Sequence, residues 1–150
     1  MAKFDMTTRD NQATISMDGT DFIADLTRAE VAYCSIVPQT EEDRKQLFNV
    51  INQPAHKLSE MIGKVITVRN VYCETIQMVS EKTGEVVTAP RIVLFDDQGN
   101  SYQCVSIGIF GALKKVFQIF GAPDTWQNPL QFEVKQIEKG AKRLLSLNLV

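Results

Sequence analysis

Apolar and polar positions change their rhythm several times along this chain. From residue 64 onward, β-branched and aromatic residues fill runs separated by turn signals, and three runs read as strands, over 64–77, 85–95 and 100–105. Between 107 and 120 the period becomes helical: Ile109, Leu113, Val116, Phe117 and Phe120 share a broad apolar face, with Lys114 and Lys115 outside it. Ser106 is placed to cap this helix, and Gly121 and Pro123 stop it. Two more strand-like runs follow, over 130–137 and 143–149, joined by a Lys139-Gly140-Ala141 turn. The first run is long, and its alternation falters at Arg69-Asn70-Val71, which predicts a bulge or a sharp coil. Pro90 predicts an edge or irregular position in the second run. Lys82-Thr83-Gly84-Glu85 reads as a turn, and Asp96-Asp97-Gln98-Gly99-Asn100 as a hairpin loop with Gly99 at positive φ.

Upstream the signals are helical. Thr40 can cap, and Glu41, Glu42 and Asp43 occupy a first turn, where the helix dipole favours acids. Leu47, Val50 and Ile51 then form one apolar stripe, and Pro54 breaks or restarts the helix. Leu58, Met61 and Ile62 repeat the spacing, with Gly63 as the C-cap and the lone His56 in a helical turn beside Pro54. Residues 21–37 are apolar enough to pack and fit a short helix or an extended segment equally. Residues 1–20 are polar and aperiodic. The expected organisation is an N-terminal arm over 1–39 and one globular domain over 40–150 with a helical preface.

Strand, strand, strand, helix, strand, strand is the plan of the OB-fold, a five-stranded Greek-key barrel whose face binds oligonucleotides and oligosaccharides. The expected class is therefore all-β with helical additions, the helix lying between strands three and four.

Composition narrows the function by exclusion. The 150 residues suit one domain with a real core. No run of about 18 apolar residues predicts a membrane span, and the first residues lack a signal-peptide core, so a cytoplasmic protein is expected. Cys34, Cys73 and Cys104 form no CxxC pair, and with a single His they argue against zinc and for packed, reduced thiols. No phosphate loop, HExxH or GxSxG occurs, and adjacent Asp96 and Asp97 are explained by their hairpin loop. The expectation is a binding protein rather than an enzyme, with no cofactor, metal or small-molecule substrate. Net charge is −2, but residues 1–56 carry five Lys/Arg against nine Asp/Glu and residues 57–150 eleven against nine. An anion-binding barrel with an acidic arm is compatible with that split.

Single-strand binding requires cations along the phosphates and flat side chains on which bases stack. Arg69, Tyr72, Arg91 and Tyr102 lie on the first three strands, the usual ligand face of such a barrel, while Phe95 reads as core. Trp126, in the loop after the helix, reads equally as a lid over the core or as a stacking platform. Lys64 and Lys135 extend a basic path, with Lys139, Lys142 and Arg143 beyond them. The candidate nucleic-acid-binding set is Lys64, Arg69, Tyr72, Arg91, Tyr102, Trp126 and Lys135.

The stretches HKLSEMIGKVITVRNVY, PRIVLFDDQGNSYQCVS and IFGALKKVFQIFGAPDTWQNPLQFEVKQ together resemble single-stranded-DNA-binding proteins encoded by phages and conjugative plasmids of Gram-positive bacteria, over about residues 40–150. The resemblance implies an OB-fold, sequence-independent binding of single-stranded DNA, and a role in replication or plasmid transfer. Housekeeping bacterial relatives end in a disordered acidic tail, whereas Arg143 to Val150 reads as a final core strand, so recruitment through such a tail is not expected. The apolar residues of 22–37 point to self-association through the arm. Two alternatives stay open: an OB-like structural or adaptor module of a phage or secretion assembly, and an RNA-binding OB module.

Overall fold

A computed structural model of the chain describes residues 32–150. The polar stretch 1–20 and most of the 21–37 segment lie outside the described residues. The elements are β1 (Tyr33–Cys34), α1 (Glu41–Asn52), β2 (His56–Lys57), a 3-10 turn (Leu58–Met61), β3 (Val65–Val79), β4 (Val86–Asp96), β5 (Ser101–Val105), α2 (Ile107–Phe120), a second 3-10 turn (Pro123–Thr125), β6 (Leu130–Lys139) and β7 (Lys142–Leu149). The molecule is mostly β, a curled OB-like sheet with two helices.

β3 is the spine. Its first residues, 65–68, pair with β6, and from Val68 to Val79 it pairs with β4. The register slips between Val68 and Asn70, so Arg69 is the extra residue of a β-bulge. A bulge bends its strand and increases the twist, which lets one strand leave one neighbour and join another. β1 completes the bend: the Ser35 backbone N–H donates to the Val71 carbonyl at 3.1 Å, and its hydroxyl accepts from Val71 N–H at 3.0 Å and donates to Asn70 Oδ1 at 2.9 Å. Residues 33–35 of the expected arm are thus built into the sheet.

The sheet order is β2-β5-β4-β3-β6-β7, with β1 on β3, so seven strands replace the five expected. The additions, β1 and β2, are two residues long, too short to leave a periodic signal. His56 is accordingly not in a helical turn. It lies in β2, parallel to β5 and opposite Tyr102, and Ser101 Oγ accepts from Ala55 N–H at 2.9 Å to hold the segment there. Pro90 sits just past the last β5 pair, Arg91↔Val105, where β4 has lost its outer neighbour and a missing N–H costs nothing.

The caps form as the residues dictate. Thr40 Oγ1 accepts from Asp43 N–H at 3.0 Å, and Ser106 Oγ from Ile109 N–H at 3.0 Å. On α2, Ile109, Leu113, Val116 and Phe117 are buried, and Phe117 meets Tyr33 edge-on with ring centroids 5.7 Å apart. Phe120 departs from the expected face and stays exposed, because Gly121 (φ 83°) turns the chain away directly after it. The shared core joins these side chains to Ile66, Val68, Val71, Cys73, Ile92, Leu94, Phe132 and Val134.

Two glycines of α2 make a matched test. A Cβ on Gly108 would strike the Leu145 carbonyl oxygen of β7, whereas one on Gly111 meets nothing within 4 Å. Gly111→Ala is expected to stabilise by up to about 1 kcal/mol through helix propensity. Gly108→Ala should destabilise by about 1–3 kcal/mol, the usual cost of overpacking. Denaturant unfolding of both checks this, and equal effects would mean that α2 does not sit so close on β7.

Candidate nucleic-acid interface

Cross-strand register sorts the candidates onto faces, because directly opposed residues share one side of a sheet. Tyr72 is opposite Val93, which is opposite Gln103, and Glu74 is opposite Arg91, which is opposite Val105. These rows lie on the side away from the one that Tyr33, Cys73 and Ile92 present to α2. α1 covers them. Its stripe Arg44, Leu47, Phe48, Ile51 and Asn52 follows the i, i+3, i+4 spacing, and the gap it leaves over Tyr72, Glu74, Arg91 and Gln103 is a cleft of about 760 Å³.

Arg91 holds this arrangement together. Its Nη1 donates to Glu74 Oε2 at 3.0 Å, and its Nη2 donates to the Ile51 carbonyl at 2.6 Å and to Gln103 Oε1 at 3.3 Å. The Ile51 carbonyl belongs to the last turn of α1, the negative end of the helix dipole, where a cation is favoured. The side chain is only 15 % exposed. Arg91, expected from the sequence to face phosphates, instead fastens α1 to the sheet.

Of the other candidates, Tyr72 shares the cleft with Arg91 and the rest are placed apart. Arg69, the bulge residue, donates to the Pro123 carbonyl at 3.1 Å and the Trp126 carbonyl at 3.4 Å. It ties the α2–β6 loop to β3. The Trp126 indole donates to the Gly121 carbonyl at 2.9 Å and belongs to the core. Tyr72, Tyr102 and Trp126 are each 7 % exposed, so none presents an open ring face. Tyr72 still borders the cleft, its hydroxyl donating to Glu74 Oε1 at 3.2 Å. Burial, followed by the Glu74 charge, pushes that phenol well above its usual range. Phe95 is buried, as its core reading required. Lys64 and Lys135 are exposed at the β3–β6 end; at about 3.3 Å per residue, Lys64 is about 25 Å along β3 from Tyr72.

Tyr102 belongs to a second polar knot. His56 stacks on it, ring centroids 5.2 Å apart at 24°. Its hydroxyl donates to Asp96 Oδ2 at 3.2 Å. Asp96 also accepts from Gln98 N–H at 2.9 Å, Asn100 N–H at 2.7 Å and Asn100 Nδ2 at 2.9 Å. Burial alone would raise the Asp96 pKa, but these donors outweigh it and lower the value. The thiols are buffered from reaction: desolvation pushes Cys34 and Cys104 up to about 12, and Cys73 well above its ordinary value. Among the described residues, no group of three or more His, Cys, Asp or Glu side chains could hold a metal ion. None of the described helices is long and apolar enough to cross a membrane.

Sequence reading did not place Phe48, Arg44 and Gln103 at the cleft that they line. The signal was present for the first two, since Arg44, Phe48 and Asn52 recur every four residues beside the Leu47–Ile51 stripe. Only the fold could put Gln103 beneath them.

Two outcomes are expected. Arg91→Met should cost about 1.5–3 kcal/mol, as for charged hydrogen bonds, and amide exchange should accelerate more in 41–52 than in β3 and β4. Uniform acceleration would mean that Arg91 does not anchor α1. A lowered Asp96 pKa means that the unfolded chain binds more protons, so its contribution is complete above its ordinary pKa of 3.8 and is lost as pH falls through the lower folded value. Asp96→Ala should therefore flatten the fall in thermal midpoint below about pH 4; an unchanged acid limb would remove Asp96 as its source.

The sheet, the helix-covered face and the cleft occur in a chain that matches a known family. The model of the phi29-type phage single-stranded DNA-binding protein family matches residues 26–150, from before β1 to the last residue given. No curated protein and no solved structure matches the chain. The chain belongs to the phage single-stranded DNA-binding protein family and binds single-stranded DNA in phage replication.

Proposed function

We propose that the chain coats single-stranded DNA without sequence preference, the strand crossing the outer face of β3, β4 and β5 through the cleft beneath α1. The five long strands β3 to β7, with α2 between β5 and β6, are read as an OB barrel whose ligand face this is. The observation that carries the reading is the cleft itself. Its apolar lining comes from Pro38, Leu47, Phe48, Ile51 and Tyr72, and its polar lining from Arg44, Asn52, Glu74, Arg91 and Gln103. Apolar walls accept bases of any identity, and with Arg91 engaged by Glu74 and Gln103 few polar groups are left for base-edge readout. Lys64 and Lys135 are read as phosphate contacts where the strand leaves toward β6. The protein is read as a binding protein without catalytic activity, working in the host cytoplasm. Residues 1–31 are read as linking neighbouring copies along the strand, which would make coating cooperative.

Anisotropy titrations with labelled dT oligomers, duplex DNA and RNA at several salt concentrations test this. Log affinity for dT should fall with log salt by about 0.7 per neutralised phosphate, and the modest positive charge of 57–150 keeps that slope shallow. Binding to duplex with none to dT, or preference for RNA over dT, would contradict it. Removal of 1–31, which spares Tyr33 and Cys34 in the core, should reduce cooperativity on long dT and leave short-oligomer affinity unchanged. Unchanged cooperativity would refute the linking role.

A further inference from the structure

We propose that Phe48 of α1 is the base-stacking platform of this site, with Arg44, one turn before it, contacting the adjoining phosphate. The proposal rests on the reading of the cleft as the DNA path and names the side chains that take the strand. α1 is an addition to the long strands of the sheet, so the platform lies on the helix over the ligand face rather than on the face itself.

Phe48 is 67 % exposed, while Leu47 beside it is buried in the core. A lone exposed apolar residue is ordinary, but Phe48 stands at a junction. It borders both the large cleft, with Leu47, Ile51 and Tyr72, and a shallower hollow shared with Glu41, Arg44, Lys45 and Asn49. The three aromatics expected to stack are each 7 % exposed, so Phe48 is the open ring bordering the cleft.

The charges around it are sorted in a way that suits a nucleotide. Lys45 pairs with Glu41 at 3.6 Å, and Arg91 is engaged with Glu74, Gln103 and the Ile51 carbonyl. Arg44 has no ion pair among the described residues and lies four residues before Phe48, on the same helix face. A cation and an accessible ring, one turn apart at the mouth of an apolar cleft, are the two parts a single-strand site requires. Gln103, on the cleft wall, supplies an amide that can meet any base edge.

The test uses the full chain and dT oligomers of one length, with Phe48→Ala, Phe48→Leu, Phe48→Trp and Arg44→Gln. Phe48→Ala and Phe48→Leu should each weaken binding by about 5- to 150-fold, the range for one stacked base, with thermal midpoints near wild type. Phe48→Trp should keep affinity, and its indole emission should be quenched on dT, above the background from buried Trp126. Arg44→Gln should make the salt slope shallower by about 0.7. Wild-type binding by both Phe48→Ala and Phe48→Leu would overturn the proposal and leave the DNA reading standing. So would retention by Phe48→Leu alone, which would mean apolar contact without stacking. An altered sedimentation coefficient of Phe48→Ala with normal short-oligomer binding would assign the ring to contacts between copies, and would also overturn it. Failure of the wild type to bind dT would instead remove the reading on which the proposal rests. If Phe48→Ala does not fold, quenching or its absence in Phe48→Trp decides the matter.

Discussion

One extra residue in β3 controls the geometry of everything around it. Arg69 breaks the register between Val68 and Asn70, and the bend that follows lets β3 pair with β6 at its start and with β4 over the rest of its length. The same residue ties the α2–β6 loop to the sheet through the Pro123 and Trp126 carbonyls. That loop places Trp126 over the core. Ser35 of the incoming chain fastens the strand where it bends. Without the bulge, β3 would run straight past β6, and the sheet could not curl around α2.

The second organising contact depends on the first. Once β3, β4 and β5 lie side by side, Glu74, Arg91 and Gln103 fall beneath the C-terminal turn of α1, and the Arg91 guanidinium joins β4 to β3, to β5 and to the helix. The result is a helix held against an otherwise open sheet face at its C-terminal end. Arg44 and Phe48, one turn apart on α1, border the cleft beneath it. A site assembled this way has few fixed charges. That agrees with a net charge of −2 for the whole chain.

Local chemistry made much of the fold legible. The bulge at Arg69, the caps at Thr40 and Ser106, the Gly99 loop and the long elements after residue 64 were readable because each depends on residues near in sequence. β1 and β2 were not, since a two-residue strand exists only through its partner. His56 was misread for the same reason: its parallel pairing with Tyr102 is long-range. The site was less legible than the fold. Arg and Tyr on strands are as suited to internal hydrogen bonds as to DNA, and Arg69, Arg91 and Tyr102 were drawn inward by carbonyls and carboxylates that sequence spacing does not reveal. Phe48, which borders the cleft, was passed over because it lies beside the Leu47–Ile51 stripe and not within it.

The central claim is the path of the strand beneath α1. Photocrosslinking of the full chain to a dT oligomer carrying halogenated deoxyuridine, followed by mass spectrometry of the adducts, measures that path directly. Adducts concentrated in residues 44–52, with further ones at Tyr72 or Gln103, are the predicted result. Adducts confined to α2 would place the DNA on the opposite side of the sheet and contradict the account.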